Sequence, residues 1–130
     1  MKLLLDTHIL IWSVFEPRRL STRVRHLLER PSTERWLSPI STWETMLLVD
    51  RGHIRIDSAL EAWFAEIITA LALHEAPLTH EVVFAAREIT IPHNAPADRL
   101  IAATARYYGL RLVTADERLL SGSGFLTLSA

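Results

Sequence analysis

Four acidic residues occupy positions from which carboxylates can act together. Asp6 ends the strand-length apolar run Leu3-Leu4-Leu5, and Asp116 follows a second, Leu110-Arg111-Leu112-Val113-Thr114-Ala115. Glu44 falls in the first turn of a helix expected from Ser41 or Thr42, and Asp98 in the first turn of one expected from Ala97. Each position also has a purely structural reading. An Asp after a strand can cap the next helix, and acids in a first helical turn are favoured by the helix dipole. Convergence points further. In an open parallel sheet, strand ends and helix starts share one edge, where ligands bind, so all four carboxylates could face one crevice. Carboxylates that close repel one another and resist joint ionisation. A hard divalent cation, Mg²⁺ or Mn²⁺, relieves that conflict because it takes carboxylate and water oxygens. Such a site suits phosphodiester hydrolysis: the ion acidifies a water and neutralises phosphoryl charge, and a second ion, roughly 3.5–4 Å away, can hold the leaving oxygen.

The elements that must position these groups follow from hydrophobic spacing and turn chemistry. Ile9 to Phe15 reads as a short helix stopped by Glu16-Pro17. Leu20, Val24, Leu27 and Leu28 recur at helical spacing, with Ser21 or Thr22 as cap and an end near Arg30. Trp36 to Ile40 reads as a brief strand whose Pro39 points to an edge or an end. The Ser41 helix ends at Arg51-Gly52, and His53 to Ile56 is a short extended link. Asp57 or Ser58 is expected to cap a long helix bearing Leu60, Trp63, Phe64, Ile67, Ile68 and Leu71. Pro77 to Thr79 reads as a third extended segment, and a helix opens at Thr79 and runs to about Ile89. The loop Thr90 to Pro96 is the main Pro-rich break before the helix Ala97 to Tyr108, which Gly109 terminates. After Asp116 come one helical turn through Leu120, a Ser-Gly-Ser-Gly turn and a last strand, Phe125 to Leu128. Short strands alternating with helices predict an α/β fold: a three-layer α/β/α sandwich around a mostly parallel four- or five-stranded sheet.

With 130 residues, 49% of them hydrophobic, the chain is expected to form a single domain over residues 1–130 with a substantial core. A net charge of −1 gives no general basic coat. Arginine is concentrated locally, however. Arg18, Arg19, Arg23, Arg25, Arg30 and Arg35 face only Glu29 and Glu34 between Pro17 and Arg35, while Lys2 is the sole lysine. This segment is either a solvated helix face or a surface for phosphates or an acidic partner. Absence of cysteine removes disulfides, thiolate metal sites and a cysteine nucleophile. No long apolar span or cleavable leader is legible, so a cytoplasmic protein without a membrane segment is expected. His80-Glu81-Val82-Val83 is followed by Phe84 rather than by the second His of a zinc protease. There is no nucleophile elbow around Ser41 and no Gly-rich phosphate loop. A receiver domain would want paired acids after the first strand and a late lysine. Trp12, Trp36, Trp43 and Trp63 could stack on bases, but their apolar neighbours favour packing.

Four stretches in order carry a family resemblance: Leu4-Leu5-Asp6-Thr7-His8 with Trp12; Ser41-Thr42-Trp43-Glu44; Pro96-Ala97-Asp98-Arg99-Leu100-Ile101-Ala102-Ala103; and Val113-Thr114-Ala115-Asp116-Glu117-Arg118-Leu119. Together they resemble the signature blocks of the PIN domain, and more narrowly the VapC-type toxin ribonucleases of toxin–antitoxin pairs. The likeness runs from Leu3 to the final strand. It implies an endoribonuclease that depends on Mg²⁺ or Mn²⁺, a homodimer, and inhibition by a small antitoxin whose tail enters the acidic groove with an Arg or Lys. Asp6, Glu44, Asp98 and Asp116 fall on the family's acidic, metal-holding positions. Thr114 falls on its polar position beside the fourth acid, where it could orient a carboxylate or a water at the metal. One departure is Ala95, where many members carry a further Asp. Arg99, beside Asp98, is expected to turn away from it, toward a carboxylate or a dimer partner. His8 is expected either to support the first acid or to hydrogen-bond within its loop.

Two functional classes stay open on these residues. The first is a metal-dependent endoribonuclease toxin acting on RNA, with a PIN-type processing nuclease outside a toxin pair as its variant. The second is a non-catalytic PIN-like module that binds RNA or protein. The complete acidic set favours the enzyme. Large apolar side chains at Trp12, Leu20, Val24, Leu27, Trp43, Leu47 and Trp63 exceed what one small core needs, which leads to the expectation that some pack in a two-fold interface.

Overall fold

Leu3, Leu4 and Leu5 make the first strand central. All three are buried, Leu3 and Leu5 toward one helical layer and Leu4 toward the other. Side chains alternate across a strand, so burial on both faces marks a parallel strand covered from both sides. Each leucine so buried contributes about 1.5–3 kcal/mol. The computed structural model describes residues 1–130. In it β1 (Lys2–Leu5) is the middle strand of a five-stranded sheet ordered β3-β2-β1-β4-β5, in which every pairing is parallel. The other strands are β2 (Glu34–Leu37), β3 (Leu73–Glu75), β4 (Arg111–Thr114) and β5 (Leu126–Ser129). The chain steps outward from β1 to β2 and β3, then returns to place β4 on the other side of β1. Strand order therefore reverses between β1 and β4, and the crevice of an open α/β sheet lies beyond their carboxyl ends.

Helices cover both faces. Ile9 and Leu10 of α1 (Thr7–Phe15), Val24 and Leu27 of α2 (Thr22–Glu29), and Phe64 and Ile67 of α4 (Leu60–Ala70) pack with Leu3 and Leu5. Val82 of α5 (His80–Ala85), Ile101 of α6 (Pro96–Tyr108) and Leu119 of α7 (Glu117–Leu120) pack with Leu4 and Leu112. The remaining helix, α3 (Pro39–Asp50), leaves the end of β2 and touches both α1 and α6. Small residues Ala102, Ala103 and Ala105 let α6 lie close on the sheet. Gly109, at φ 66°, ends that helix in the left-handed conformation that glycine adopts without steric cost. No helix is long and apolar enough to cross a membrane.

The sheet is thus the expected one, with five strands. Several local expectations are corrected. Trp36 to Ile40 is not a strand throughout. β2 starts earlier, at Glu34, and closes at Leu37, after which the Ser38 side chain accepts the Ile40 N–H at 3.1 Å as the cap of α3. Pro39 takes the first helical position, where its missing N–H costs nothing. It therefore marks a strand end, and β2 is an interior strand. The helix begins two residues before Ser41, so Glu44 stands in its second turn rather than its first. Asp57 and Ser58 do not cap α4; Ala59 holds that position without a side-chain hydrogen bond. His53 to Ile56 forms no strand.

The third strand is Leu73–Glu75, not Pro77 to Thr79. Ala72, at φ 49°, turns the chain out of α4 early. The ladder stops after Ala76 N–H reaches Leu37 O at 2.9 Å, because Pro77 has no N–H with which to extend it. The apolar surplus assigned to an interface is also smaller than expected. Leu20, Val24 and Leu27 are buried in the chain's own core, and Trp12, Leu47 and Trp63 are half-buried. Leu20, Val24 and Leu27 belong to the core between the sheet and α1, α2 and α4, and Trp12 and Trp63 pack against that core. Trp43, half exposed, is the member of that set left on the surface.

Candidate active site

Asp6 directly follows β1 and is 8% exposed. Its Oδ1 accepts the Thr7 N–H at 2.8 Å, which caps α1, and its Oδ2 accepts the Thr114 hydroxyl at 2.7 Å. Thr114, fully buried at the end of β4, in turn accepts the Asp116 N–H at 3.0 Å. One hydroxyl therefore ties the two strand-end acids together across the point where strand order reverses. The capping reading of Asp6 is correct, yet the same carboxylate also lines the crevice.

Glu44 reaches the site from α3. Its Oε1 accepts the Thr7 hydroxyl. Thr7 has one hydroxyl proton, and that proton goes to the carboxylate. The buried Ser41 hydroxyl, 3.0 Å from Thr7 Oγ1, is then the donor of its pair. Asp98, third residue of α6, is hydrogen-bonded through Oδ2 to His93 Nε2 at 2.7 Å. Asp116 caps α7 by accepting the Arg118 N–H at 2.9 Å. The Arg118 guanidinium also forks onto it, with Nε 3.2 Å from Oδ1 and Nη2 3.1 Å from Oδ2.

These four carboxylates share one open groove of about 550 Å³, whose other walls are Thr7, His8, Trp12, Arg19, Ala115 and Arg118. Its electrostatics divide in two. Burial, more than any other cause, pushes the Asp6 carboxyl above the usual range; the Thr114 and Thr7 hydrogen bonds oppose this and the charge of Asp98 adds to it. Burial likewise raises Glu44, opposed by the Thr7 hydroxyl and assisted by the charges of Asp6 and Asp98. Asp116 is the opposite case: hydrogen bonds and charge from Arg118 hold it below the usual range. The inner groove is therefore short of positive charge, and the outer rim supplies its own.

As the side chains stand, no three acidic or histidine groups converge tightly enough to chelate an ion. Each carboxylate already has a partner: Thr114 and Thr7 for Asp6, Thr7 for Glu44, His93 for Asp98 and Arg118 for Asp116. The donor set nonetheless fits a hard divalent ion. It is all oxygen, it comes from four carboxylates on one groove, and its two inner members are raised by burial first and then by the charge of neighbouring acids, Asp98 acting on both.

The four acids singled out in the sequence are thus brought to one groove, with Thr114 behind them. Thr7, His93 and Arg118 were not singled out as partners of the acids. Their proximity in sequence, at one, five and two residues from Asp6, Asp98 and Asp116, was the available signal. Arg19 lies on the Trp12 ring, 4.2 Å from its centroid, and faces the groove. Arg35, by contrast, is structural: it donates to Leu71 O at 2.7 Å and Leu28 O at 2.6 Å. Arg99 does turn from Asp98, but to the Ile89 carbonyl at 2.6 Å rather than to a carboxylate. His8 is exposed on the first turn of α1, not in a loop, with its ring 6.1 Å from that of Trp12.

A wholly parallel α/β sheet that gathers acids at its switch-point crevice is a known protein class, and the chain belongs to it: it is a member of the PIN domain family, whose profile matches residues 3–122. Within that class it is similar to Ribonuclease VapC22 of Mycobacterium tuberculosis (strain ATCC 25618 / H37Rv), with 35% identity over 121 residues, 91% of this chain and 89% of that one. Among solved structures it resembles VapBC2 from Rickettsia felis bound to a DNA fragment from their promoter, with TM-score 0.70 and 16% identity over 99% of this chain and 98% of that one. It also resembles FitAcB from Neisseria gonorrhoeae, with TM-score 0.65 and 23% identity over 97% and 96% of the two chains. At those identities the likeness to the solved structures is one of fold.

Proposed function

We propose that this chain is a Mg²⁺- or Mn²⁺-dependent endoribonuclease toxin of the VapC type, neutralised by a small antitoxin. The observation that carries the reading is the convergence of Asp6, Glu44, Asp98 and Asp116, from four separate elements, on one open groove. A module that only bound RNA would gain nothing from concentrating carboxylates against a polyanion. The 35% identity to a ribonuclease supports the same conclusion.

Asp6, Glu44, Asp98 and Asp116 would hold the cation, which supplies charge neutralisation at the scissile phosphate and a more acidic water. The chain's own polar groups give these acids fixed positions. Thr114 locks Asp6 to the backbone of Asp116, and Thr7 holds Glu44. Arg19 and Arg118 stand on the groove wall and offer planar guanidinium groups to flanking phosphates.

Inhibition follows the same electrostatics. An antitoxin Arg or Lys set among the four acids would replace the cation and block the phosphate path. Beside α3, an apolar trough of about 460 Å³ lined by Trp43, Met46, Ile68 and Leu73 suits a hydrophobic segment of such a partner. A homodimer acting on cytoplasmic RNA completes the reading.

The test is cleavage of a structured RNA by partner-free protein. Cleavage should require Mg²⁺ or Mn²⁺ and stop in EDTA; cleavage undiminished by EDTA would remove the metal from the account. The Arg118 fork on Asp116 favours a second reading, a non-catalytic RNA-binding module. RNA binding without cleavage at saturating metal would establish that reading instead. Cleavage without growth arrest on expression would indicate a processing nuclease outside a toxin pair.

A further inference from the structure

His93 lies in the loop before α6, is not one of the residues that line the groove, and is hydrogen-bonded to Asp98. Nε2 is 2.7 Å from Asp98 Oδ2, and the two side chains are 12% and 18% exposed. The other ring nitrogen, Nδ1, is buried and has no hydrogen-bond partner. An ionised carboxylate can only accept, so Nε2–H is the donor.

Asp98 needs such a partner. Its helix starts at Pro96, which has no N–H, and Ala95 in the capping position offers no side-chain hydrogen bond. The start of α6 is therefore not tied down by a capping side chain. The His93 contact engages one carboxylate oxygen and leaves Oδ1 for the groove.

We propose that His93 is a positioning residue: it fixes the Asp98 carboxylate in the orientation that a divalent cation requires, without itself touching cation or RNA. The proposal rests on the ribonuclease reading of the groove. Removing an outer hydrogen-bond partner of a metal-holding carboxylate typically weakens metal binding about 10–100-fold.

The probe is Mn²⁺ binding to the folded protein by calorimetry, alongside kcat and KM for RNA. His93→Leu keeps bulk and loses the donor; His93→Gln places an amide N–H near the Nε2 position. His93→Leu should bind Mn²⁺ at least ~10-fold more weakly, while His93→Gln should recover most of the affinity. KM for RNA at saturating metal should hardly change in either. Wild-type Mn²⁺ affinity in His93→Leu, with affinity lost in Asp98→Asn, would overturn the positioning role and leave the groove assignment standing. Wild-type affinity in Asp98→Asn would instead overturn the groove assignment, and the proposal with it. Should His93→Leu not fold, His93→Asn takes its place, since its shorter amide cannot reach Asp98. Equal Mn²⁺ affinities for the Asn and Gln variants would then refute the proposal.

Discussion

Thr114 and Asp6 are 108 residues apart in the chain, and their side chains are joined by a 2.7 Å hydrogen bond. The same Thr114 oxygen receives the Asp116 backbone N–H, so one buried hydroxyl serves both strand ends. Thr114→Val keeps the shape and removes both bonds, leaving a buried carboxylate oxygen and a backbone N–H short of partners. The variant should lose about 1–3 kcal/mol of stability and a larger share of its cleavage rate, while Thr114→Ser stays near wild type. Denaturant melts and metal-dependent cleavage measure the two effects separately. A valine variant with full stability would show that the hydroxyl is dispensable.

Glu44 supplies a pH dependence. Its folded-state carboxyl is raised above the ordinary glutamate range, burial being the main cause. A raised acid contributes stability that is fully present below the ordinary range and is lost as pH rises through the raised value. Glu44→Gln keeps an oxygen for the Thr7 hydroxyl and has no charge to bury. In metal-free protein it should therefore melt higher than wild type at neutral pH, with the gap closing in acid. Saturating Mg²⁺ should reverse the order. Melting curves across pH with and without Mg²⁺ decide it, and a metal-free Glu44→Gln less stable than wild type at pH 8 would contradict the assignment.

Arg118 holds the Asp116 carboxylate and would compete for it with the proposed cation. Releasing that carboxylate with Arg118→Gln should lower the half-saturating Mg²⁺ concentration by about two- to five-fold, the scale of an exposed ion pair. Because Arg118 also lines the groove, KM for RNA should rise in the same variant. A Mg²⁺ titration that does not move would place the pair outside the working site.

Ala95 occupies the cap of α6 in extended geometry, with φ −110° and ψ 106°. Ala95→Ser supplies the missing acceptor without adding charge to the groove. Thermal melting should show a gain of about 0.5–2 kcal/mol, with cleavage unchanged. A loss of stability would mean that the helix start is already satisfied.

Asp6 and Asp116 were legible in the sequence because each ends an apolar run that a parallel sheet must bury, and the order of the elements then brings both to one edge. Asp98 was legible for a similar reason, since Pro96 and Gly109 bracket its helix. Glu44 was found by type but misplaced by a turn, because Pro39 suits a strand end and a helix start equally well. β3 was hidden because Leu71 and Leu73 continue the apolar spacing of α4, and only the left-handed backbone at Ala72 separates the two elements. The links from His93 to Asp98 and from Arg118 to Asp116 were not legible. Spacings of five and two residues allow such contacts, but loop conformation and rotamer decide them. That Leu20, Val24 and Leu27 are used in the chain's own core was not legible either, because a flat list of apolar residues does not say which of them a helical layer buries against the sheet.

β1, with β2 on one side and β4 on the other, has a timing consequence. During synthesis β1 and Asp6 leave the ribosome well before β4 and Asp116. Until β4 has emerged, the crevice lacks one of its two strand-end walls, and Asp6 lacks the hydroxyl that holds it. A nascent chain of this design lacks the assembled groove until β4 has joined β1. The proposed activity can begin only once that pairing has formed, and it is from that moment that a newly made molecule would need the proposed inhibitor.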